Sequence, residues 1–435
     1  MASGGNRQKT EATGSARLGP RPLPLHLTGA MATWLSSQGA LPLLSSGSPF
    51  WKEPETPLRG PLAESESLLE ALASADPEAL GQAVAREARH RMTTLLAGIE
   101  AYRRHPYRRA LPDMPLLWQQ GTTKLRDYRK LGRSGRPPGR RSRAPVVLVV
   151  PSLINRFTVL DLSERVSFLR WLQAQGARPF VVDWDAPGEA ERGFTLTDYI
   201  AGRLEAALSA VVEETGRRPV LAGYCMGGDL ALALALRRQR DLAGLILMAT
   251  PWDFHAASAE QARCLGTSLV TLEPVMALMG ALPVDCIQAL FSALDPLLVA
   301  RKFMAFSRLD PAGPEAAAFV ALEDWLNDGV DLAAPVARDC LAGWYGANAT
   351  GKGAWRIAGE PVAPQRLALP TLVVVPGRDR IVPPASANAL AELIPGADAF
   401  TPGAGHIGMM ASSRAPQRVW PTLLTWLKER AAAAR

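Results

Sequence analysis

The sequence contains few cysteines and no long apolar segment. Four cysteines in 435 residues are too few for a disulfide scaffold, so a hydrophobic core must hold the fold together. No apolar run reaches the ~18 residues that a membrane-spanning helix needs. Residues 1–25 are polar and lack the apolar region of a secretory signal, so we expect a cytoplasmic protein without a transmembrane segment.

Sequence patterns of common ligand sites are also scarce. The five histidines and four cysteines do not cluster at metal-ligand spacing. No Gly-rich phosphate-binding loop with its lysine occurs either. We therefore expect neither a metal ion nor a resident cofactor. The composition, 48% hydrophobic and 20% charged, is that of an ordinary globular protein and excludes a disordered one.

Positive charge is concentrated in one segment. Residues 101–145 carry eleven Arg and two Lys against two Asp, a net charge of +11, whereas the rest of the chain carries −4. The densest part, residues 133–143, is interrupted by Pro and Gly, which indicates an exposed linker. A solvated linker is the ordinary interpretation of such a run. The alternative is contact with a polyanion, and we expect no specific nucleic acid partner.

The pattern of apolar runs predicts three regions. We expect residues 1–60 to be weakly ordered and residues 61–144 to be helical, ending in the basic linker. Over residues 145–435, strands alternate with helices, which predicts an α/β fold with a mostly parallel sheet and helices on both faces. The predicted strands are 146–150, 179–183, 219–223, 242–248, 369–375 and 397–400.

The alternation of strands and helices stops over about 252–365. We interpret this helical block as a cap inserted over the edge of the sheet, where loops form the functional site. Its apolar stretch 270–298 is predicted to line the site. The densest apolar positions of that stretch are Met276, Leu278, Met279, Ile287 and Leu290.

The strongest local motif is Gly-Tyr-Cys-Met-Gly-Gly at 223–228. It lies between a predicted strand and a predicted helix, as does the G-x-S-x-G elbow that presents a catalytic nucleophile, and Cys225 takes the Ser position. Small flanking residues allow the strand and the helix to approach each other. The helix N-terminus favours a thiolate, and the amide of Met226 is predicted to be an oxyanion donor.

Candidates for the base and the acid follow in the chain order expected for such an elbow. His406 lies in a Gly-rich loop between the last strand and the last helix, and Asp379 follows a late strand. We predict that Asp379 orients the His406 imidazole, which activates Cys225. His255 is a rival base. The weaker alternative acids are Asp183, Asp253 and Asp328.

The second oxyanion donor is expected in residues 151–157, the loop after the first core strand. The backbone amide of Ile154 or Asn155 would serve. The alternative is that Asn155 and Arg156 only hold the geometry of this turn.

Further motifs occur in a fixed order along the chain. They are Leu-Ile-Asn-Arg-Phe at 153–157, Leu-Asp-Leu at 160–162, Val-Asp-Trp at 182–184, Phe-Thr-Leu-Thr-Asp-Tyr-Ile at 194–200, Thr-Pro-Trp-Asp-Phe at 250–254 and Gly-His-Ile at 405–407. Together with the box at 223–228, they resemble the polyhydroxyalkanoate (poly-3-hydroxybutyrate) synthase family over roughly residues 145–410.

This resemblance implies an α/β-hydrolase fold and an acyltransferase that polymerises (R)-3-hydroxyacyl-CoA. Cys225 would hold the growing chain as a thioester, His406 would activate Cys225 or the monomer hydroxyl, and Asp379 would support His406. CoA would enter only as part of the substrate. The implied partners are the polyester product, a polyester granule surface, and a homodimer mate or a partner subunit.

Two other functions use the same residues or the same fold. An intracellular polyhydroxyalkanoate depolymerase or acyl thioesterase would need the same Cys-His-Asp triad. A non-catalytic granule or membrane-surface protein would retain only the fold. The cysteine favours acyl transfer, because a Cys-bound acyl group matches a CoA thioester in energy. The complete set of Cys225, Asp379 and His406 argues against a non-catalytic protein.

Overall fold

The computed structural model of the protein describes residues 17–45, 71, 74–129 and 144–433. Described residues up to Tyr107 form one unit with Pro296–Val320, and those of Arg108–Asp295 and Ala321–Arg435 form a second. We predicted a boundary near residue 145 and a single cap over 252–365. The structure differs on both points, because the second unit begins at Arg108 and part of the expected cap belongs to the first unit.

The elements are as follows. The helices are α1 (Leu23–Ser45), α2 (Pro77–Arg104), α3 (Phe168–Ala174), α4 (Glu205–Thr215), α5 (Met226–Arg237), α6 (Ala259–Met279), α7 (Val284–Ser292), α8 (Leu298–Phe306), α9 (Pro314–Asn327), α10 (Ala334–Arg338), α11 (Pro384–Leu393), α12 (Gly408–Ala411), α13 (Ala415–Arg418) and α14 (Trp420–Ala433). The strands are β1 (Leu116–Gln120), β2 (Thr123–Asp127), β3 (Val146–Val150), β4 (Arg178–Asp183), β5 (Val220–Tyr224), β6 (Gly244–Met248), β7 (Ala281–Leu282), β8 (Leu332–Ala333), β9 (Arg356–Ile357), β10 (Glu360–Pro361), β11 (Thr371–Val374) and β12 (Asp398–Phe400).

The described part of the first unit is helical. Helix α1 lies within residues 1–60, so the expectation of weak order is wrong for this stretch. Its Ala30 and Trp34 are buried in the core of the unit, and such tertiary contacts override a weak local pattern. The predicted restart at Asp76-Pro77 is confirmed, because Asp76 Oδ2 accepts a hydrogen bond from the amide of Ala79 at 2.8 Å, an N-cap of α2.

Residues 296–320 join the first unit through packing on α2. The rings of Tyr102 and Phe303 meet edge to face with their centroids 5.5 Å apart. A Cβ at Gly98 would collide with the carbonyl oxygen of Phe303, so the two helix backbones approach closely where glycine has no side chain. This contact links residues about 200 positions apart in the chain, and the local apolar pattern carries no sign of it.

The second unit is built on an eight-stranded sheet in the order β1-β2-β4-β3-β5-β6-β11-β12. The strands from β4 to β12 in this order are parallel, and β1 and β2 form an antiparallel hairpin that pairs with β4. All six predicted strands are present. Every residue of β3, β4, β5 and β6 is buried, as expected for a sheet covered on both faces.

The hairpin β1–β2 is a correction to the prediction that residues 61–144 are helical. The exposed edge strand β1 is polar at Gln119 and Gln120, so it lacks the apolar run by which a buried strand is recognised. Part of the basic segment 101–145 forms ion pairs within the second unit. Arg126 pairs with Asp183 at 2.8 Å and Arg109 with Asp161 at 3.0 Å. The densest basic stretch, residues 133–143, lies outside the described residues.

Helices α6 and α7 follow β6, in the region predicted to be the cap. Ser258 caps α6 by accepting a hydrogen bond from the amide of Gln261 at 3.2 Å. Gly280 ends the helix with φ +68°, a left-handed conformation that suits glycine. Within the described ranges, no helix is long and apolar enough to cross a bilayer.

Candidate active site

Cys225 stands at a sharp turn between β5 and α5. Its backbone has φ 56° and ψ −134°, a conformation that costs a non-glycine residue energy and is typical of functional sites. Its amide donates to the carbonyl of Met248 on the neighbouring strand at 2.9 Å, and its own carbonyl accepts from Gly228 at 2.8 Å. The strained turn is therefore held from both sides, as the elbow motif predicts.

The glycines of the motif are required by close backbone contacts. A Cβ at Gly227 would collide with the carbonyl oxygen of Val150, and one at Gly223 would collide with the backbone of Gly228. A Cβ at Gly228 would overlap the side chain of Thr250. Strand β5, helix α5 and the end of β3 therefore approach one another only because these positions lack side chains.

His406 and Asp379 meet as predicted. Nδ1 of His406 lies 2.7 Å from Oδ2 of Asp379, and both residues are buried. The other carboxylate oxygen of Asp379 accepts hydrogen bonds from the amides of Ile381 and Val382 at 2.8 and 2.9 Å. Asp379 is thus fixed by its own loop, and it orients the imidazole so that the second ring nitrogen is free to serve Cys225.

The pKa of His406 depends on both Cys225 and Asp379. Burial opposes the protonated imidazole of His406, but the negative charge of Cys225 and hydrogen bonds to Asp379 and Cys225 raise its pKa to about 10. A raised pKa on this imidazole favours its protonated form at neutral pH, which would place a positive charge beside the sulfur of Cys225. The thiolate is the nucleophilic form of cysteine.

The rival residues are engaged elsewhere. The ring Nε2 of His255 lies 2.8 Å from the carbonyl of Tyr345. Asp253 accepts hydrogen bonds from the amide of His255 and from Asn348. Asp183 pairs with Arg126, and Asp328 pairs with Arg156. None of these contacts competes with the His406–Asp379 pair.

Tyr224 is a site residue that the sequence analysis did not identify. Its hydroxyl donates to the carbonyl of His406 at 3.1 Å, and its ring lies 5.3 Å from the imidazole, centroid to centroid. The residue is buried at the end of β5, directly before Cys225. It therefore connects the nucleophile strand to the histidine loop. Its position in the elbow motif was visible, but its partner is distant in sequence.

Asp229, the residue that directly follows the motif at 223–228, also lies near the nucleophile. It is fully buried in the first turn of α5, after Cys225. Burial, with a smaller contribution from the negative charge of Cys225, raises the pKa of this carboxyl well above its ordinary value. The raised pKa favours the uncharged form of this buried carboxyl, four positions after Cys225 in the chain.

The predicted oxyanion donors flank the cavity next to Cys225. Met226 is the first residue of α5, and Met226 and Ile154 both line that cavity. The amide of Ile154 also makes a long hydrogen bond, 3.3 Å, to Ser152 Oγ. Asn155 forms an isolated antiparallel bridge with Gly329. The assignment of Met226, Ile154 and Asn155 as oxyanion donors stays a prediction.

The cavity at Cys225 has a volume of about 310 Å³ and mostly apolar walls. This volume is at the lower end of the range for small-molecule sites. Its apolar lining includes Leu265, Leu282, Ile287, Leu290, Phe291, Leu294, Leu332, Leu341 and Trp344. Such walls suit an acyl chain and keep the site poor in water.

The predicted lining from 270–298 is correct only in part. Ile287 and Leu290 on α7 line the cavity, but Leu278 and Met279 on α6 are 88% and 43% exposed. Helix α6 lines the cavity at its beginning, through Leu265. At about 100° per residue, the helix turns by roughly 220° beyond whole turns between Leu265 and Leu278. The two side chains therefore point to nearly opposite faces of α6. Apolar density alone did not indicate which face of α6 meets the cavity.

No residues suited to a metal ion come together in the part of the chain that the structure describes: no group of three or more His, Cys, Asp or Glu side chains is placed to hold one.

Comparisons with known proteins agree with this architecture. The sequence profile of the alpha/beta hydrolase fold matches residues 145–265, and the sheet and the elbow define the protein as one of that class. The chain is 30% identical over 307 residues to the poly(3-hydroxyalkanoate) polymerase subunit PhaC of Allochromatium vinosum, covering 69% of this chain and 85% of the relative. It is 30% identical over 295 residues to the subunit of the same name from Synechocystis, covering 65% of this chain and 78% of the relative. The chain belongs to the PhaC family of poly(3-hydroxyalkanoate) polymerase subunits.

A third relative is longer. The PhaC subunit of Haloferax mediterranei is 28% identical over 289 residues, which cover 65% of this chain and 58% of the relative. The chain therefore spans little more than half of that protein.

Proposed function

We propose that the chain is an acyltransferase that polymerises 3-hydroxyacyl-CoA thioesters into a polyester through an acyl group bound to Cys225. Membership of the PhaC family supports the substrate class and the product. The observation that carries the proposal is a cysteine on a strained elbow, electrostatically coupled to a buried His406–Asp379 pair, at the wall of an apolar cavity.

The first step is transfer of the acyl group from CoA to the enzyme. The Cys225 thiolate attacks the thioester carbonyl, and the electron pair of the C=O bond moves to oxygen. The amide of Met226, at the start of α5, and the loop of Ile154 and Asn155 stabilise this oxyanion. The intermediate collapses, the C–S bond to CoA breaks, and the imidazolium of His406 gives its proton to the departing CoA thiolate.

The second step extends the chain. Neutral His406 accepts the proton of a monomer hydroxyl, whose oxygen attacks the acyl carbon on Cys225. An ester bond forms, and the C–S bond breaks to release the Cys225 thiolate. One thioester is consumed for each ester that forms, and the exchange of acyl groups between CoA and Cys225 is nearly balanced in energy. Apolar walls favour this acceptor over water.

The alternative function is hydrolysis by the same triad, as in a polyhydroxyalkanoate depolymerase or an acyl thioesterase. It would need water to reach Cys225 in place of the hydroxyl of a monomer. The apolar lining of the cavity argues against it. Because CoA is released in both cases, the product of the acyl group separates the two functions.

The test uses the full chain with 3-hydroxybutyryl-CoA. CoA release is followed with a thiol reagent, and the acyl product is separated into insoluble polymer and soluble acid. We expect CoA release with polymer in the wild type and neither in Cys225→Ala. Soluble 3-hydroxybutyrate as the main product would replace synthesis with hydrolysis. The cytoplasm and the surface of a polyester granule are the proposed locations, since an insoluble product must remain attached to the enzyme that extends it.

A further inference from the structure

We propose that Arg156 and Asp328 are positioning residues that hold the loop of Ile154 and Asn155 in place as the second oxyanion donor. The inference rests on the proposed acyl transfer at Cys225 and adds a function to two side chains outside the triad. Both residues belong to the second unit, and neither is placed at the reacting atoms.

The first observation is a shared guanidinium. Arg156 Nη1 lies 2.9 Å from Asp185 Oδ1, and Arg156 Nε lies 2.9 Å from Asp328 Oδ2. Asp185 in turn pairs with Lys124 of β2 at 2.8 Å. Arg156 therefore ties three segments together: its own loop after β3, the loop after β4, and the segment that enters β8.

The negative charge of Asp185 persists across the physiological range. Burial alone would raise the pKa of the Asp185 carboxyl, but Lys124, the Ala186 amide and Arg156 together lower it to about 2. Asp185 is thus a carboxylate wherever the enzyme would work. The pair of Arg156 and Asp185 is therefore a fixed electrostatic link.

The second observation is that hydrogen bonds join the backbone of the same loop to residues 325–330. The indole of Trp325 donates to the carbonyl of Arg156 at 2.8 Å, and the amide of Val330 donates to the carbonyl of Ile154 at 3.3 Å. Asn155 and Gly329 form an antiparallel bridge between these two bonds. Residues 325–330 therefore run alongside residues 154–156 of the predicted oxyanion loop.

The third observation explains the glycine in this bridge. A Cβ at Gly329 would lie 2.6 Å from Val284 Cγ2 and 3.4 Å from Asn155 Oδ1. The segment passes between α7 and the oxyanion loop with no room for a side chain. Because α7 also lines the cavity, this segment connects the oxyanion loop to a wall of the cavity.

An oxyanion donor requires such support. Its effect depends on an amide that stays in place while charge develops, and a displacement of about 1 Å can cost 10²-fold in rate. Within the loop, the amide of Ile154 makes only its long bond to Ser152. Isolated half-exposed ion pairs add little to stability. We therefore expect the pair of Arg156 and Asp328 to affect the geometry of the loop more than the free energy of unfolding.

The experiment uses two reagents that react with Cys225 in different ways. Butyraldehyde adds reversibly: the thiolate bonds to the carbonyl carbon, and the C=O electron pair becomes an oxyanion that the backbone amides of the site stabilise. Iodoacetamide alkylates the same thiolate by displacing iodide at a CH₂ carbon, with no oxyanion to stabilise. The ratio of the two effects therefore reports the oxyanion site itself.

In Arg156→Gln we expect the aldehyde to bind about 10- to 100-fold more weakly, with the alkylation rate within about twofold of wild type. Turnover of 3-hydroxybutyryl-CoA should lose kcat with little change in KM. Arg156→Lys should recover part of the loss, since it keeps one ion pair. Asp328→Asn, at an exposed position, should show the same pattern in a protein that folds normally. The double variant should be no worse than Arg156→Gln.

Arg238→Gln is the matched control. Arg238 is similarly half-buried and also pairs with two acids, Glu205 and Asp241, but it lies just past the C-terminal end of α5, away from the elbow. We expect it to change neither reagent. If Arg156→Gln and Asp328→Asn leave aldehyde affinity unchanged, or reduce aldehyde affinity and alkylation equally, the proposal is wrong. Aldehyde binding needs no acyl-CoA, so this result is independent of whether the chain proves to be a polymerase.

Discussion

The imidazole of His406 is held against Asp379 by a hydrogen bond of 2.7 Å, buried on both sides. This contact joins the loop after β11 to the loop after β12, and it determines which ring nitrogen faces Cys225. The negative charge of Cys225 then becomes the main reason why His406 retains a proton. Three side chains from three separate segments are thus linked through the imidazole of His406.

The first prediction concerns the orientation of His406. Asp379→Asn keeps the size of the side chain but removes its charge, so the imidazole loses both its orientation and the stabilisation of its cation. We expect kcat for CoA release to fall by at least about 10²-fold, with KM changed far less. Asp241→Asn is the control, because Asp241 is a partly exposed residue that pairs with Arg238. This variant should retain full activity. Near-normal turnover in Asp379→Asn would remove Asp379 from the triad.

The second prediction concerns pH. The pKa of His406 is about 10 in the folded protein and near 6.5 in an unfolded chain. A raised pKa in the folded state contributes stability that is complete below about pH 6.5 and is lost as the pH rises towards 10. Urea unfolding between pH 6 and 10 should show this loss in the wild type and much less of it in His406→Gln. Equal pH slopes for the two proteins would contradict the raised pKa of His406.

The third prediction concerns the backbone of the elbow. Gly227→Ala places a Cβ against the carbonyl oxygen of Val150, and we expect it to destabilise the fold by about 1–3 kcal/mol. Gly202→Ala is the matched control, because no atom lies within 4 Å of its Cβ position. It should be neutral or stabilise the protein by up to about 1 kcal/mol. Thermal unfolding of both variants decides the matter, and equal stability would show that the contact at Gly227 is unimportant.

The fourth prediction concerns Tyr224. Tyr224→Phe keeps the ring beside the imidazole but removes the hydrogen bond to the carbonyl of His406. The buried carbonyl is left unpaired, which should cost about 1–3 kcal/mol of stability. We also expect a several-fold lower kcat because the histidine loop is less firmly held. Unchanged kcat with reduced stability would limit Tyr224 to a structural role.

The sequence was sufficient to predict the parts of this protein that depend on local signals. The strands at 146–150, 179–183 and 220–224 are short apolar runs with clear ends, and the elbow motif marks its own turn by glycine. His406 and Asp379 could be found because each follows a strand in the expected order. Parallel strands then bring their C-terminal ends to one edge of the sheet.

The remaining features depend on contacts between distant segments. The hairpin of β1 and β2 is stabilised by pairing with β4, which its own polar sequence does not reveal. Helix α8 packs on α2 through Gly98 and Phe303. Residues 296–320 therefore belong to the first unit and not to the predicted cap. The partner of Tyr224 and the burial of Asp229 are equally non-local. Each of these requires the fold before it can be recognised.

The proposed function depends most directly on a covalent acyl group at Cys225. The decisive measurement is mass spectrometry of protein quenched with acid shortly after mixing with 3-hydroxybutyryl-CoA. The account predicts a 3-hydroxybutyryl adduct, or a short oligomer of it, on the peptide that contains Cys225. It predicts no adduct in Cys225→Ala. An acyl group on another residue, or CoA release by Cys225→Ala at the wild-type rate, would contradict it.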